Sequence, residues 1–314
     1  MAQIFKVDSR FDKSLFEGCS CAFGVFDGVH KGHRYLLDAA QATAAADGGA
    51  SIALTFDIDP DEMFAAGTLK KLLSNADRID RLAASGVDAV CVLSFTPSFA
   101  AEEPLEFLKH TFGDHVPAHL HVGADFAFGA RAAGTVDDLR QWAATAGCTV
   151  HAHHLVSADG LPISATRIRG LLGRGELDEA NKLLGRPYAL HETVRKGRQE
   201  GRDMGFRTAN LVCAPERCVL ADGVYAGYAI VDGIRYAAAI SNGIAPMFAG
   251  KTDANCEVHI LDFDGNLYGQ AIWVEFVHRL RPMIKFDSVD ELIETVMGDI
   301  EWTRAHMKVD TAKE

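Results

Sequence analysis

Apolar and polar positions follow two different rhythms along this chain, and the change falls near residue 185. Before it, short β-rich runs alternate with segments of helical spacing: "CSCAFGVF", "RYLLDAAQATAAAD", "ASIALTF", "NADRIDRLAASG", "DAVCVLSF", "PLEFLKHTFG", "HLHVGADF", "TVDDLRQWAATAG" and "CTVHAHHLV". That succession predicts βαβ units around a parallel sheet. A helical stretch, "ATRIRGLLGRGELDEANKLLG", closes this half. The text then becomes strand-like and turn-rich, in "GVYAGYAIVDGIRYAAAIS" and "CEVHILDFDGNLYGQAIWVEFVHRL". Here "VDGI" and "FDGN" carry the Asp-Gly hairpin signal, so antiparallel β structure is expected. A last helix is predicted in "SVDELIETVMGDIEWTRAHM", where Leu292, Val296 and Ile300 recur on one face. The expected division is residues 1–184 and residues 185–314.

Length agrees with two units: 314 residues is about two domains at ~150 residues each. No run approaches the ~18 consecutive apolar residues of a membrane span, and the first residues lack the basic-then-apolar pattern of a secretory signal. The expectation is a cytoplasmic protein with no membrane partner. Seven scattered cysteines, without paired Cys-x-x-Cys knuckles, suggest reduced thiols rather than a disulfide framework or a zinc site. The formal net charge of −12 argues against nucleic acid as a partner, because that requires a basic stripe. Small phosphate ligands remain open to an acidic chain that supplies helix N-termini, placed Arg or Lys, and a divalent cation.

Two motifs supply such features. In "FGVFDGVHKGHRYLL" (residues 23–37), His30 and His33 flank Gly32 where a strand gives way to a helix. That junction is the carboxyl edge of the sheet, where open α/β sheets bind ligands. Gly28 and Gly32 permit close backbone approach, and histidines there can donate to a phosphate chain as pyrophosphate departs. The second motif, "ISATRIRG" (residues 163–170), opens another helix, with Ser164 or Thr166 as N-cap and Arg167 and Arg169 as phosphate ligands. Taken singly, each motif also reads as an ordinary helix cap or a solvated face. "HAHH" invites a metal reading through His151, His153 and His154, but no acidic or thiol partner is apparent.

Through these motifs, the chain resembles the prokaryotic bifunctional FAD synthetases, in which riboflavin kinase is joined to FMN adenylyltransferase. The resemblance runs over nearly the whole length, through "LTFDIDP", "HVGADFAFG", "LLGRPY", "GFRTANL", "DGVYAG" and "FVHRLRPMIKFDSVDELI" as well. It implies an α/β doubly wound parallel sheet of the Rossmann-like nucleotidylyltransferase kind, followed by an all-β small barrel with a C-terminal helix. It also implies riboflavin, FMN and ATP as substrates, FAD as product, and Mg²⁺ as cofactor. Phe23, Gly24, Asp27, His30, Gly32 and His33 would line the first ATP site, with Asp125 near it and Ser164, Thr166, Arg167 and Arg169 around the phosphates. His30, His33 and Arg167 are the candidate charge stabilisers.

In the C-terminal part, the resemblance assigns Gly197, Gly201 and Gly205 to a phosphate loop, Thr208 and Asn210 to Mg²⁺ and phosphate, and Glu257 to the role of catalytic base. Three departures stand out. Asp59 occupies a position where the family commonly has His; it would set an anion near phosphate, unless it is a loop change without consequence. Arg207 replaces a proline and should loosen the backbone that presents Thr208 and Asn210, while also offering a cation beside the triphosphate. Met247 stands where Thr is common. These departures keep a second reading open, an FMN adenylyltransferase whose kinase module has become a flavin-binding or regulatory domain. The sequence sets no oligomeric state.

Overall fold

A computed structural model describes residues 1–64, 69–154, 156–196, 207–214, 216–217, 220–243 and 255–309. Packing divides the chain into two compact units, Met1–Arg167 and Ile168–Glu314.

The first unit is a six-stranded parallel sheet. Its strands are β1 (Gln3–Val7), β2 (Ser20–Phe23), β3 (Ser51–Phe56), β4 (Ala89–Leu93), β5 (His119–Gly123) and β6 (Thr149–His153), in the order β1-β4-β3-β2-β5-β6. Helices α1 (Lys31–Asp47), α2 (Pro60–Phe64), α3 (Asn75–Ala83), α4 (Pro97–Ala100), α5 (Pro104–Phe112) and α6 (Val136–Ala146) form the crossovers. Side chains alternate across the strands, and the two faces differ in bulk. Phe23, Ile52, Leu54, Phe56, Cys91 and Leu93 enter an aromatic-rich core with Phe99, Phe107 and Phe112. Ala22, Ala53 and Val90 line the opposite face, where Leu37 and Ala40 pack against them. Small residues on both partners let the alanine-rich helix α1 lie close to the sheet.

Strand β2 has β3 on one side and β5 on the other. The chain winds one way from β2 through β3 to β4, then returns to the other side of β2 with β5. That reversal is a topological switch point, and the crevice beyond the carboxyl ends of the strands is where such sheets hold ligands.

Strands β5 and β6 carry a feature the sequence showed only in part. His119 lies opposite His151, and His121 opposite His153, in parallel register. Nδ1 of His119 is 3.0 Å from Nε2 of His151, and Nδ1 of His121 is 2.9 Å from Nε2 of His153. Asp47 accepts from Nε2–H of His119 at 2.6 Å, which leaves its Nδ1 to accept from His151. His121 also lies 2.9 Å from the Thr43 hydroxyl on α1. Burial, reinforced by the neighbouring histidines, pushes His121 down from 6.5 to about 3. The described residues hold no group of three or more His, Cys, Asp or Glu able to bind a metal.

The folded state therefore favours neutral His121, and the unfolded chain takes up a proton first as pH falls. Stability is flat above about 6.5 and is lost as pH drops from there toward about 3. Thermal melts between pH 7.5 and 4.5 are expected to show a falling first transition, with a shallower slope in His121→Leu; parallel slopes in the two proteins would refute the assignment.

The second unit begins with helices α7 (Ala165–Arg174, continuing from the first unit) and α8 (Leu177–Leu184), separated at Gly175, whose φ is +76°. The single helical stretch expected from the sequence is therefore two helices, because the left-handed glycine turns the chain. Asn181 of α8 donates from Nδ2 to the carbonyl of Phe276 and accepts from the amide of Tyr188, seating the helix on two strands. Six strands close a barrel: β9 (Tyr188–Arg195), β10 (Ala209–Val212), β11 (Gly223–Val231), β12 (Ile234–Gly243), β13 (Asn255–Ile260) and β14 (Ala271–Arg281). β7 (Ser157–Ala158) and β8 (Leu161–Pro162) make a small hairpin in the first unit.

Asp232 and Gly233, with φ of 50° and 80°, form the two-residue turn expected between β11 and β12. "FDGN" does not make such a turn. β13 pairs with β10 and β12, while β14 pairs with β11 and β9, so the Asp-Gly of "FDGN" lies in a longer connection between strands that are not neighbours. The C-terminal helix α9 (Val289–His306) covers the barrel, with Trp302 packed on Ala226, Ala237 and Leu261. Arg281 grips Asp299 of that helix at 2.8 Å.

Candidate functional site

The loop from β2 to α1 is built under strain. Phe26, Gly28 and Val29 have φ of 61°, 75° and 40°, and for a β-branched residue such as Val29 this region is rarely occupied. Such residues persist only where surrounding structure holds them, and they cluster at functional sites. His30 follows as the N-cap of α1, its Nδ1 accepting the amide N–H of His33 at 3.3 Å. A ring nitrogen that accepts carries no proton, so the His30 proton sits on Nε2. The His33 ring stacks on that of His30 at 3.6 Å and meets Phe26 edge-on.

The two motifs, far apart in sequence, meet here. A Cβ on Gly32 would lie 3.2 Å from the His30 ring and 3.4 Å from the carbonyl oxygen of Ile163, so the start of "ISATRIRG" lies against the start of α1. Ser164, not Thr166, provides the cap of α7, accepting the amide of Arg167 at 3.2 Å. Arg167 donates from Nη1 to the carbonyls of Ala158, Leu161 and Pro162, holding the β7–β8 hairpin against its own helix. Thr166 is exposed, and Arg169 is half-buried on the same helix.

The remaining candidates of this unit sort by contact. Phe23 is buried among Phe56, Phe107 and Phe126, so its side chain belongs to the aromatic core. The amide of Gly24 donates to Leu54, extending the sheet into the loop. Asp27 is buried, and its carboxylate accepts the amide of Leu72 at 3.0 Å. Asp125 is exposed in the turn after β5. Asp59 accepts the amide of Asp61 at 3.0 Å, while its own amide donates to Glu62 at 2.9 Å. It thus starts α2 with a reciprocal cap, which explains an acidic residue at this position. Burial pushes its carboxyl up.

In the barrel, Asn210 lies directly opposite Glu257, and Ser241 flanks Glu257 from the other neighbouring strand. Residues paired in this way share one face of the sheet. Leu211, Cys256 and Val258 point into the barrel, so Asn210 and Glu257 point outward. Thr208, two positions before Asn210, is half-buried at the entry to β10. Ser241 was missed in the sequence; only the register reveals it, because a serine at the end of an alanine-rich strand carries no signal of its own.

Arg207 is tied to the neighbouring strand region. Its carbonyl accepts from Nδ1 of His259 at 2.8 Å, and its guanidinium pairs with Asp264 at 2.9 Å. Gly197, Gly201, Gly205 and Met247 lie outside the described residues.

An open parallel sheet with a histidine-capped helix at its switch point, joined to a barrel that pairs Asn210 with a carboxylate, defines a nucleotidylyltransferase-type unit linked to a small β-barrel. Comparison with known proteins agrees. The family model described as FAD synthetase matches residues 12–167, and that described as riboflavin kinase matches residues 184–307. The bifunctional riboflavin kinase/FMN adenylyltransferase of Pseudomonas fluorescens is 34% identical over 289 residues, covering 92% of this chain and 93% of its own. The Bacillus subtilis protein of the same description is 33% identical, covering 88% and 89%. A crystal structure described as a macrolide-efflux protein from Streptococcus pneumoniae superposes with a TM-score of 0.78 at 32% identity, over 91% of this chain and 94% of that one. The chain belongs to the bifunctional riboflavin kinase/FMN adenylyltransferase family. No helix among the described residues is long and apolar enough to cross a membrane.

Proposed function

We propose that residues 1–184 carry the adenylyl transfer and residues 185–314 the phosphorylation, in the cytoplasm. The chain phosphorylates riboflavin to FMN and adenylylates FMN to FAD, with ATP as donor in both steps. One observation supports this division above others: the groups each reaction needs come from distant parts of the chain and meet within one unit. Gly32 meets Ile163 in the first, and Asn210 meets Glu257 in the second.

In the first unit, a phosphate oxygen of FMN attacks the α-phosphorus of ATP, and the bond to pyrophosphate breaks. No covalent enzyme intermediate is needed, so positioning and charge stabilisation supply the rate. The amides at the start of α1 and the Nε2–H of His30 donate to the phosphate oxygens as negative charge moves onto the leaving group. His33 and Arg167 lie beside the same chain of phosphates. Arg167, anchored through Nη1, keeps the helix start of "ISATRIRG" in place while presenting the rest of its guanidinium. Gly24, Ser164 and Thr166 shape this cradle, and Phe23 and Asp27 support it from beneath.

In the barrel, the ribityl hydroxyl of riboflavin attacks the γ-phosphorus, and ADP leaves. Glu257 accepts the hydroxyl proton as the new bond forms. Thr208 and Asn210 offer neutral oxygen donors near the carboxylate, a donor set that suits Mg²⁺, which prefers hard oxygen and binds through a few protein ligands together with nucleotide phosphates. Bound there, the ion would neutralise phosphate charge. The reading of the barrel as a regulatory flavin-binding remnant is not favoured, since Thr208, Asn210 and Glu257 are all present and the riboflavin kinase model spans the unit.

The decisive assay is separation of flavins after incubation with ATP and Mg²⁺, once from riboflavin and once from FMN. FAD is expected from both. FMN accumulating without FAD would overturn the assignment of the first unit, and FAD from FMN alone that of the barrel.

A further inference from the structure

Arg78 lies on α3 and is buried, yet it bonds almost entirely outside its own helix. Its Nη1 donates to the carbonyl of Val25 at 2.8 Å and to the Thr55 hydroxyl at 2.6 Å. Its Nη2 donates to the carbonyl of Phe56 at 2.7 Å and to Oδ1 of Asn75 at 3.3 Å. Thr55 in turn donates to the same Val25 carbonyl at 3.2 Å. One guanidinium thus ties the segment leaving β2 to the last residues of β3, at the carboxyl edge of the sheet.

Val25 immediately precedes the strained turn of Phe26, Gly28 and Val29 that delivers His30 to the start of α1. On the other side of Phe26, the Asp27 carboxylate holds the amide of Leu72. The strained turn is therefore held at its entry by a cation at Val25 and from within by an anion at Asp27. Left-handed non-glycine residues are costly and relax unless neighbouring structure holds them. Asp59, Asp27, Glu62 and Asp57 lie within electrostatic reach of the guanidinium, so its charge also offsets carboxylates beside the carboxyl edge of the sheet.

We propose that Arg78 is a positioning residue for adenylyl transfer, acting through the Val25 carbonyl to hold the strained turn that aims His30 at the phosphates. This rests on the assignment of adenylyl transfer to the first unit. The guanidinium shape matters: a lysine ammonium can reach one or two of these acceptors but not span two strands.

The test uses the full chain, with riboflavin phosphorylation by the barrel as an internal control in each preparation. Arg78→Lys and Thr55→Val are compared with wild type in the conversion of FMN to FAD. Arg78→Lys is expected to lower kcat at least tenfold, with the ATP KM changed less than threefold and phosphorylation within twofold; Thr55→Val is expected to lower kcat by severalfold. A cycle with His30→Ala separates positioning from general support. If Arg78 acts through His30, the double variant is no slower than His30→Ala alone; if the two losses multiply, the proposal is overturned. FMN adenylylation within twofold of wild type in both single variants would equally overturn it. Failure of the wild-type chain to make FAD from FMN would instead remove the underlying assignment, an outcome separate from these.

Discussion

Replacing Glu257 with glutamine is expected to lower riboflavin phosphorylation by ~10²–10⁴-fold, the range that a positioned general base contributes. FAD formation from supplied FMN should stay within twofold. The substitution keeps the shape of the side chain and its place on β13 opposite Asn210 and Ser241, so the barrel has no reason to unfold. What is lost is a group able to take the ribityl proton while the oxygen–phosphorus bond forms. The riboflavin KM should change little, because the proton moves in the transition state and not on binding. Steady-state assays of both half-reactions on one preparation would check this, and a loss of FAD formation from FMN as well, in a folded protein, would contradict the separation of sites.

His30→Ala is expected to show the complementary pattern. Adenylyl transfer should fall by ~10²–10³-fold, the scale for removing one preorganised donor to developing charge, with phosphorylation preserved. Part of the loss comes from a second role. The His30 ring caps α1 by accepting the His33 amide and stacks on the His33 ring, so alanine also releases the neighbouring imidazole. His30→Asn separates these contributions, because asparagine is a good N-cap. It should recover the helix-capping component of stability in a thermal melt but little of the rate. Recovery of most of the rate by asparagine would mean that His30 works chiefly as a cap.

Most strands of the first unit were legible because large and small apolar residues alternate within them, as in "ASIALTF" and "DAVCVLSF". β1 was not, since "QIFKV" sits at the sheet edge and buries only Val7 well. The break at Gly175 was hidden inside a continuous helical pattern, whereas the "VDGI" turn announced itself. Both motifs of the proposed phosphate cradle could be read as local text, but their meeting at Gly32 and Ile163 could not, because it follows from how β2 and α7 are brought together in space. Two further residues depend wholly on tertiary structure. Ser241 gains interest only from its register with Glu257. Arg78 looks like one more polar residue on an exposed helix, and only the fold turns it inward among backbone carbonyls. The histidine ladder lies between these cases: "HLH" and "HAH" each show alternation, while their pairing appears only when β5 and β6 lie side by side.

The contact between Gly32 and Ile163 also fixes a timetable for the chain as it leaves the ribosome. About 130 residues separate the two, and at ~5–20 residues per second the helix start bearing His30 emerges roughly 7–26 s before the segment that completes its cradle. Through that interval the strained turn lacks its contact with Ile163. The barrel pair, Asn210 and Glu257, are separated by fewer than fifty residues and face a much shorter wait. During synthesis, the contact between Gly32 and Ile163 cannot form until residue 163 has emerged, so shorter nascent chains lack the pairing on which the proposed adenylyl-transfer site depends.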